Sequence, residues 1–329
     1  MVSARMGAGH DGAAAELCRR LEARGHRPLK VDFLDAAPRL GRALQRAYQA
    51  QLAAAPWSYE ALYRLWFRLP WLARPTAFVL AKAFGRRLRR WVRAWQADVV
   101  VSTYPLASVA LGRDRRRLGV PVATFLTDFA VHPLWVHPGV DLTLCVHPAS
   151  AARAAQASGR PAVAPGPLVG DRFSARLPAR DQARLELGIP PDARVALVVA
   201  GSWGVGEVEQ AVADVCACGP WLPLVVCGRN PGLQRRLAAR GQGVVLGWTD
   251  RMPQLMAAAD VLVQNGGGLT CMEAFAAGLP VVSYRPIPGH GRQNALEMEA
   301  AGVAAYARSP EQLGPALERA ATLAGRRTV

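Results

Sequence analysis

The sequence predicts an α/β protein with two domains, and three observations support this prediction. Short apolar runs, typical of buried parallel strands, alternate with helical patterns along most of the chain. The alternation is interrupted by the Pro- and Gly-rich segment from Pro161 to Phe173 and restarts after it. The length of 329 residues suits two domains of ordinary size. We therefore expect one Rossmann-like layered domain in residues 1–165 and a second in residues 166–329.

Composition limits the classes of protein that fit. Hydrophobic residues make up 51% of the chain, enough for a large core in each domain. The six cysteines are scattered and lie mostly within apolar runs, which favours reduced thiols in a cytosolic protein over a disulfide framework. Cys216 and Cys218 have C-x-C spacing, but no second pair completes a zinc site. We expect neither a secretory leader nor a segment that spans a membrane.

A strand, a Gly-rich turn and a helix open the chain. Only the tail of the strand is recognisable, in Val2 to Ala4, so we expect the natural start to lie upstream. The turn Gly7 to Gly9 leads into His10 and a helix predicted over residues 11–24, followed by a strand over residues 29–33. His10 is either a functional side chain at the turn or a residue that caps the turn locally.

A basic, tryptophan-rich stretch runs from Arg39 to Trp95. It holds twelve Arg or Lys residues, a single acid and five of the nine tryptophans. Its last helix has one apolar face and a largely basic remainder: the apolar positions are Phe84, Leu88, Trp91, Val92 and Trp95, and the basic positions are Arg86, Arg87, Arg89, Arg90 and Arg93. This pattern is typical of a helix on an anionic membrane surface. The alternatives are a core-facing helix with a solvated basic side or, without any recognised motif, a nucleic-acid surface.

Polar residues follow the strands predicted beyond this stretch. Strands are expected over residues 98–102, 120–126 and 142–146, and the second ends in Thr127-Asp128. Polar residues at the carboxyl ends of parallel strands face the ligand crevice of an open α/β sheet. Asp128, His132 and His137 are therefore placed for function.

In the second half, two Gly-rich turns precede helices. The predicted strands are 194–200, 222–227, 244–246, 261–263 and 281–284, and the predicted helices are 180–187, 207–217, 252–258, 295–301 and 310–324. One turn spans Gly201 to Gly206, and the other spans Asn265 to Gly268. A helix that begins near Leu269, with Glu273 in its first turn, can seat a phosphate on its N–H groups while the carboxylate accepts from a sugar hydroxyl. The alternative is an ordinary strand-turn-helix unit.

Several motifs then become recognisable in order. They are GAGHDGAA at residues 7–14, TDFAVHPLW at 127–135, VVCGRN at 225–230, GWTDRMPQLMAAADVLVQNGGGLTCMEAFAAGLP at 247–280 and PIPGHGRQN at 286–294. The chain resembles the monogalactosyldiacylglycerol synthase and processive diacylglycerol glycosyltransferase family over essentially its whole length. The resemblance implies the GT-B fold, in which two Rossmann-like domains face a cleft and the last helix crosses back to the N-terminal domain.

The resemblance implies that the C-terminal domain binds a UDP-hexose. The residues that match the uracil side are Trp248, Thr249 and Met252. Those that match the phosphate side are Gly267, Gly268, Leu269 and Thr270, the second loop with Gly201 and Ser202, and Arg229. The residue that matches the ribose-binding acid is Glu273, and those that match the hexose side are Gln293 and Asn294, with His290 beside them.

The resemblance assigns the acceptor side to the N-terminal domain. The residue that matches the histidine of the N-terminal Gly-rich loop is His10, next to Gly9, and it is a candidate general base because histidine titrates near operating pH. Asp128 is a second catalytic candidate, and the stretch with His132 and Trp135 matches the acceptor side. The residues expected to hold the protein on an anionic membrane are Arg86, Arg87, Arg90 and Trp91. Gly268, where plant-like members often carry Pro, departs from the family pattern.

The implied reaction is transfer of a hexose with inversion at the anomeric carbon. No DxD-like carboxylate pair is present at the expected cleft, so neither a metal nor another cofactor is expected. The expected partners are a UDP-hexose, a lipid acceptor such as diacylglycerol and an anionic membrane surface, with no nucleic acid, and the expected location is the cytoplasmic face of the cell membrane. The alternatives are a soluble hydrophobic acceptor or a non-catalytic protein that binds nucleotide-sugars or membrane surfaces; the sugar and the oligomeric state stay open.

Overall fold

The computed structural model describes residues 1–325, with the backbone alone at positions 53, 67, 70, 73, 74, 77 and 323–325. The chain forms two compact units, Met1–Leu168 and Val169–Val329. Each unit contains a six-stranded sheet in which all neighbouring strands run parallel. The predicted α/β class is therefore confirmed. None of the described helices has the length and apolar character needed to span a bilayer.

The first unit has twelve helices and strands besides short 3₁₀ turns. In chain order they are β1 (Val2–Ser3), α1 (Ala8–Glu22), β2 (Val31–Asp32), α2 (Pro38–Ala54), α3 (Pro56–Arg68), α4 (Ala73–Ala94), β3 (Val100–Ser102), α5 (Pro105–Leu118), β4 (Val122–Phe125), β5 (Leu142–Leu144), α6 (Pro148–Ser158) and β6 (Ala162–Val163). The sheet order is β2-β1-β3-β4-β5-β6. Although β1 has only two residues, Val2 pairs with Val31 on one side and Ser102 on the other. Proline opens four of the helices, where its missing N–H costs no hydrogen bond.

Helix α4 carries the predicted apolar and basic faces, but its apolar face belongs to the core. Phe84, Leu88 and Val92 are buried in the cluster that α4 shares with β1, β3 and α5. Trp91 is half-buried and stacks on the exposed Trp95 at 6.0 Å between ring centroids. The prediction that the apolar face with Phe84, Leu88 and Val92 meets a membrane is therefore corrected, because these three side chains are buried in the core.

One arginine of α4 is also part of the packed interior. Arg89 donates to the carboxylate of Asp114 on α5, and Asp114 is buried. Arg86, Arg87 and Arg90 are exposed. The basic residues of this helix therefore differ in role, since one closes a buried ion pair and the others face outward.

Arg89→Ala is expected to lower the free energy of unfolding by about 2 kcal/mol, because it leaves a buried carboxylate without its main cation. Arg90→Ala, a change of the same size on an exposed position of the same helix, is expected to stay within about 0.5 kcal/mol of the wild type. Chemical denaturation of both variants measures the difference. Equal stabilities would show that the Arg89–Asp114 pair contributes nothing to the fold.

The second unit follows the predicted alternation closely. In chain order its elements are α7 (Arg180–Leu187), β7 (Arg194–Val199), α8 (Val208–Ala217), β8 (Trp221–Val226), α9 (Pro231–Arg240), β9 (Val244–Leu246), α10 (Met252–Ala258), β10 (Val261–Gln264), α11 (Leu269–Ala276), β11 (Val281–Tyr284), α12 (His290–Ala300), β12 (Ala305–Ala307) and α13 (Pro310–Gly325). The sheet order is β12-β11-β10-β7-β8-β9. The last helix packs on β11, β12 and α8 of its own unit. Its expected passage to the N-terminal domain stays a prediction.

Candidate functional site

In the second unit the strand order reverses between β7 and β10, which are neighbours in the sheet. The loop after β7 and the loop after β10 therefore leave the sheet toward opposite sides. Open α/β sheets bind ligands at such a switch point. The two Gly-rich turns predicted from the sequence are these two loops. Asn265 Nδ2 donates to the carbonyl of Val205 at 2.9 Å and ties one loop to the other. The sequence pattern therefore located the two loops that meet at this switch point.

Two side-chain hydrogen bonds hold the turn between β10 and α11 in place. Gln264 Oε1 accepts from the N–H of Gly267 at 2.5 Å, and Asn294 Nδ2 donates to the carbonyl of Gly266 at 3.1 Å. Gly267 has a φ of +77°, and a Cβ there would lie 2.4 Å from Asn294 Cβ. Because the turn is fixed before a ligand arrives, the N–H groups at the start of α11 are oriented in advance.

Gly267→Ala is expected to lower the free energy of unfolding by about 1–3 kcal/mol, because the new methyl group requires a left-handed backbone and meets Asn294. Gly268→Ala is the matched control, since Gly268 has a φ of −91° and nothing lies within 4 Å of a Cβ there. Thermal unfolding of both variants provides the comparison. A Gly267→Ala protein as stable as Gly268→Ala would contradict the close packing described here.

Glu273 lies just past the first turn of α11, in which it was predicted to lie. Helix α11 begins at Leu269 after Gly268, so Glu273 is its fifth residue and not part of its first turn. The side chain is buried, and this burial raises the pKa of the Glu273 carboxyl to about 7 against the opposing effect of Arg172. Among the described residues, no hydrogen bond to this carboxylate is found. The carboxylate oxygens of Glu273 can thus accept hydrogen bonds from hydroxyl groups of a ligand.

The carboxyl ends of β8 and β9 bring an arginine and an aromatic ring together. Arg229 lies over the Trp248 ring, with its Cζ 4.0 Å from the ring centroid, and Trp248 is half-exposed. The backbone N–H of Arg229 donates to the carbonyl of Ser202 at 2.9 Å, and this hydrogen bond joins the loops after β7 and β8. Gly228 allows this approach, since a Cβ there would lie 2.2 Å from the Gly201 carbonyl oxygen. These predicted donor residues therefore lie on adjoining loops.

Two further predicted positions flank the same edge of the sheet. Thr249 Oγ1 accepts from the N–H of Arg251 at 3.1 Å, and this turn leads into α10 at Met252. Leu269 and Thr270 are the first two residues of α11. Their place agrees with a site along the carboxyl edge, and the predicted contacts with a nucleotide stay predictions.

Helix α12 begins at His290, earlier than predicted, so the hexose-side candidates are helical. Gly289 precedes it with a φ of +74°. Gln293 is partly exposed and donates through Nε2 to Glu297 at 2.9 Å. Asn294 is fully buried beneath the Gly266–Gly267 turn. This burial corrects the prediction for Asn294, which supports the turn, whereas Gln293 has surface that a sugar can reach.

The first sheet has its own switch point, between β1 and β3. Helix α1 begins at Ala8, so Gly9 and His10 lie in its first turn and not before it as predicted. His10 Nδ1 lies 3.0 Å from Thr127 Oγ1, which follows β4, and Thr103 Oγ1, which follows β3, donates to the His10 carbonyl at 3.1 Å. Residues after β3 and β4 therefore converge on His10, which itself follows β1.

Asp128 and His10 both contact the buried Trp135. Trp135 Nε1 donates to Asp128 Oδ2 at 3.1 Å, and the Trp135 ring meets the His10 ring edge-on at 5.8 Å. His132 is also buried; its Nδ1 accepts from the N–H of Leu134 at 3.0 Å, and its ring lies 4.3 Å from that of Tyr63. Trp135 and His132 were predicted to lie on the acceptor side. Because both side chains are buried, they instead support the residues around them.

His137, which the sequence also placed for function, is a packed residue. Its Nδ1 accepts from the N–H of Gly139 at 3.0 Å. Burial, together with the nearby Arg113, lowers the pKa of His137 to about 4. The ring is therefore neutral at ordinary pH, and its hydrogen bond fixes a turn.

Sequence reasoning missed several neighbours of His10 and His132. Thr103 and Thr127 directly follow strands, so the rule that identified Asp128 could have found them. Tyr63 packs on His132, and Tyr59 and Tyr48 follow it in a series of ring contacts. These tyrosines come from α2 and α3, and no spacing signal pointed to them. Burial raises the pKa of Tyr48 to about 12, and the negative charge of Asp128 acts in the same direction. Within residues 1–325, no group of three or more His, Cys, Asp or Glu side chains could hold a metal ion.

Comparisons with known sequences agree on both halves of the chain. The profile of monogalactosyldiacylglycerol (MGDG) synthase matches residues 10–161, and that of glycosyl transferases group 1 matches residues 192–327. The chain is 26% identical to the processive diacylglycerol beta-glucosyltransferase of Bacillus licheniformis, over 95% of this chain and 84% of that protein.

Solved structures show the same fold. MurG of Acinetobacter baumannii aligns with a TM-score of 0.59 and 18% identity, over 98% of this chain and 92% of MurG. Os79 of O. sativa, crystallised in complex with UDP, aligns with a TM-score of 0.64 and 15% identity, over 99% of this chain and 93% of Os79. At these identities the likeness establishes the GT-B fold alone.

Proposed function

Because this chain belongs to the GT-B glycosyltransferase family of the monogalactosyldiacylglycerol synthases and processive diacylglycerol glycosyltransferases, we propose that it transfers a hexose from a UDP-sugar to a diacylglycerol-type lipid. The observation that carries the donor half is the turn between β10 and α11, with the buried carboxyl group of Glu273 one helical turn beyond it. The relatives' names support the acceptor half. In this proposal the second unit binds the donor and the first unit binds the acceptor.

The donor diphosphate binds at the switch point of the second sheet. The N–H groups of Leu269 and Thr270 at the start of α11 and the partial positive charge of that helix meet its negative charge. The Arg229 guanidinium adds a full positive charge nearby, and Trp248 gives the uracil an aromatic surface. Glu273 accepts hydrogen bonds from the ribose hydroxyls. This set favours a nucleoside diphosphate over a free sugar.

His10 acts as the general base toward the acceptor. When Nδ1–H donates to Thr127 Oγ1, the ring is in the tautomer whose Nε2 carries a lone pair. The acceptor oxygen forms a bond to the anomeric carbon, its proton passes to Nε2, and the bond from that carbon to the diphosphate breaks. The electron pair leaves with UDP. Asp128, fixed by Trp135, favours the imidazolium that results.

In-line attack from the face opposite UDP inverts the configuration. An α-linked donor therefore gives a β-glycoside. Positive charge from the α11 start and Arg229 stabilises the diphosphate as it leaves, which is where negative charge grows in the transition state. The exposed arginines of α4 attract the protein to an anionic leaflet, each by about 1 kcal/mol. We place the reaction at the cytoplasmic face of the cell membrane, where lipid acceptor and UDP-sugar meet.

A donor and acceptor screen tests this proposal. UDP-glucose, UDP-galactose and UDP-N-acetylglucosamine are each incubated with diacylglycerol vesicles or with a soluble hydrophobic alcohol, and UDP release and product mass are recorded. We expect release of UDP and a glycosylated lipid with at least one UDP-hexose. Product on the alcohol alone would replace the lipid acceptor by a soluble one. Tight UDP binding without turnover on any acceptor would favour a non-catalytic protein.

A further inference from the structure

Arg285, the residue that follows β11, has a backbone conformation that arginine rarely adopts. Its φ is +44°, in the left-handed region where the Cβ comes too close to the following carbonyl oxygen. Among the described residues, Gln96 is the other non-glycine residue with a positive φ, and it is exposed. A strained backbone persists where surrounding contacts hold it in place. The contacts of the Arg285 side chain therefore indicate what this conformation maintains.

The Arg285 guanidinium binds two acids of α8. Its Nε donates to Asp214 Oδ2 at 2.8 Å, and its Nη1 donates to the carboxylate of Glu207. Glu207 directly precedes α8, and Asp214 lies two helical turns further along, so both carboxylates lie on one side of the helix. The Tyr284 hydroxyl donates to the same Oδ2 at 2.7 Å. We call the contacts of Arg285 with Glu207 and Asp214 the clamp.

Apolar packing beneath the start of α8 is incomplete. A crevice of about 240 Å³ lies at the carboxyl ends of β7 and β10, and its lining includes Val208 and Ala211 of α8 and Val263 of β10. Arg285 and Glu207 line the same crevice. Close interdigitation of side chains normally fixes a helix on a sheet. Because the crevice reduces it here, the clamp contributes more to the position of the helix start.

The loop between β7 and α8 depends on that helix start. Its first half is joined to the loop after β8. Its second half is held at Val205, whose carbonyl accepts from Asn265, and at Glu207, which Arg285 contacts. Gly206, between these two points, has a φ of +96°, which glycine adopts without strain. The backbone of this half is thus permissive, and Asn265 and Arg285 determine its geometry.

We propose that Arg285 is a positioning residue of the donor site: the clamp fixes the loop between β7 and α8 in the conformation that receives the donor diphosphate. Arg285 does not touch the donor in this role, because its guanidinium binds the carboxylates of Glu207 and Asp214. Strand β10 lies between β11 and β7, so the side chain crosses β10 to reach α8. This inference deepens the proposed function, since it rests on donor binding at this switch point.

Hydrogen exchange and UDP titration of Arg285 variants test the proposal. Arg285→Gly and Arg285→Ala both remove the clamp, but only glycine relieves the backbone, so Arg285→Ala is expected to melt about 2–4 °C below Arg285→Gly. In both, the amides of residues 201–207 are expected to exchange at least about tenfold faster than in the wild type. Both are expected to bind UDP about tenfold more weakly, although their stabilities differ.

The kinetic effect of these variants separates positioning from general destabilisation. The KM for UDP-hexose is expected to rise about tenfold with the loss of UDP affinity, while turnover at saturating donor stays near the wild-type value. Gln96→Gly is the matched control, because it relieves the same kind of backbone strain in the other unit. We expect it to change neither the exchange of residues 201–207 nor UDP affinity.

Glu207→Ala distinguishes a clamp from neutralisation of charge. The clamp predicts weaker UDP binding in Glu207→Ala, by less than in Arg285→Gly because the contact with Asp214 is kept. It also predicts that the double variant R285G/E207A binds UDP no more weakly than Arg285→Gly, since both changes remove one contact. If Arg285 only neutralised Glu207, Glu207→Ala would bind UDP at least as tightly as the wild type.

Three outcomes would overturn the proposal. They are wild-type exchange of residues 201–207 in Arg285→Gly, wild-type UDP affinity in Glu207→Ala, and recovery of UDP affinity in the double variant. None of these measurements needs an acceptor. If the wild type binds UDP but transfers no hexose to any acceptor, the proposed function fails, and the exchange and affinity comparisons still decide the role of Arg285.

Discussion

Replacing His10 by alanine is expected to lower the turnover number by about 100- to 10,000-fold, the range that a positioned general base contributes. UDP affinity is expected to stay near that of the wild type, because the donor residues belong to the other unit. Turnover at saturating UDP-hexose with a short-chain diacylglycerol, together with UDP titration, measures both quantities. His26→Ala, on an exposed position, is the matched control. Wild-type turnover in His10→Ala would remove His10 as the base.

The role of Thr127 can be separated from a structural one. Thr127→Val removes the hydroxyl that lies 3.0 Å from His10 Nδ1 but keeps the branched shape of the side chain. We expect a smaller loss in turnover than in His10→Ala, a shifted pH profile and recovery in Thr127→Ser. A loss that Thr127→Ser does not restore would point to packing and not to orientation of the imidazole.

Replacing Glu273 by glutamine is expected to weaken UDP binding by about 10- to 100-fold, because hydrogen bonds to a charged acceptor each contribute about 1.5–3 kcal/mol. Calorimetric titration with UDP measures this loss. Turnover at saturating donor should fall much less, since Glu273 is assigned to the ribose and not to the reacting atoms. Unchanged affinity for UDP would exclude Glu273 from the nucleotide site.

The same carboxyl group makes binding and stability depend on pH in opposite ways. Burial raises the pKa of Glu273 from 4.5 to about 7 in the folded protein. The folded state therefore holds a proton that the unfolded state releases, and this contribution to stability is lost as pH rises from 4.5 to about 7. Glu273→Gln is accordingly expected to raise the free energy of unfolding at pH 8 by about 3 kcal/mol, and by much less at pH 5.

UDP affinity of the wild type is expected to rise between pH 6 and 8, because the ligand hydroxyls donate to the ionised carboxylate. UDP itself titrates in this range, so the comparison is made with Glu273→Gln at each pH. The ratio of the two affinities isolates the side chain. A ratio that does not change with pH would contradict ribose binding by ionised Glu273.

Much of the second unit could be predicted because its signals are local. The helices at 180–187 and 252–258 were predicted with the boundaries that the structure has. Alternating apolar runs and glycines define these elements within a few residues of chain. The start of α12 was missed, since the sequence around Gly289 contains Pro and Gly, and only the φ of +74° at Gly289 lets the helix begin at once.

The parts that could not be predicted depend on contacts between distant residues. Helical spacing revealed the apolar face of α4, but not that α5 and the first sheet would cover it. The contact between His10 and Thr127 joins residues far apart in sequence, and Tyr63 reaches His132 from the helical stretch before β3. The burial of Asn294 follows from the fold of the Gly266–Gly267 turn. A single sequence contains no pattern for such pairs.

The mass of the lipid product tests the central claim most directly. The protein is incubated with diacylglycerol vesicles and carbon-13-labelled UDP-hexose, and the lipid extract is analysed by mass spectrometry and NMR. Our account predicts diacylglycerol that carries a labelled hexose in β linkage, with release of UDP, and no such product from His10→Ala. Labelled hexose found only as free sugar, or in α linkage on the lipid, would contradict it.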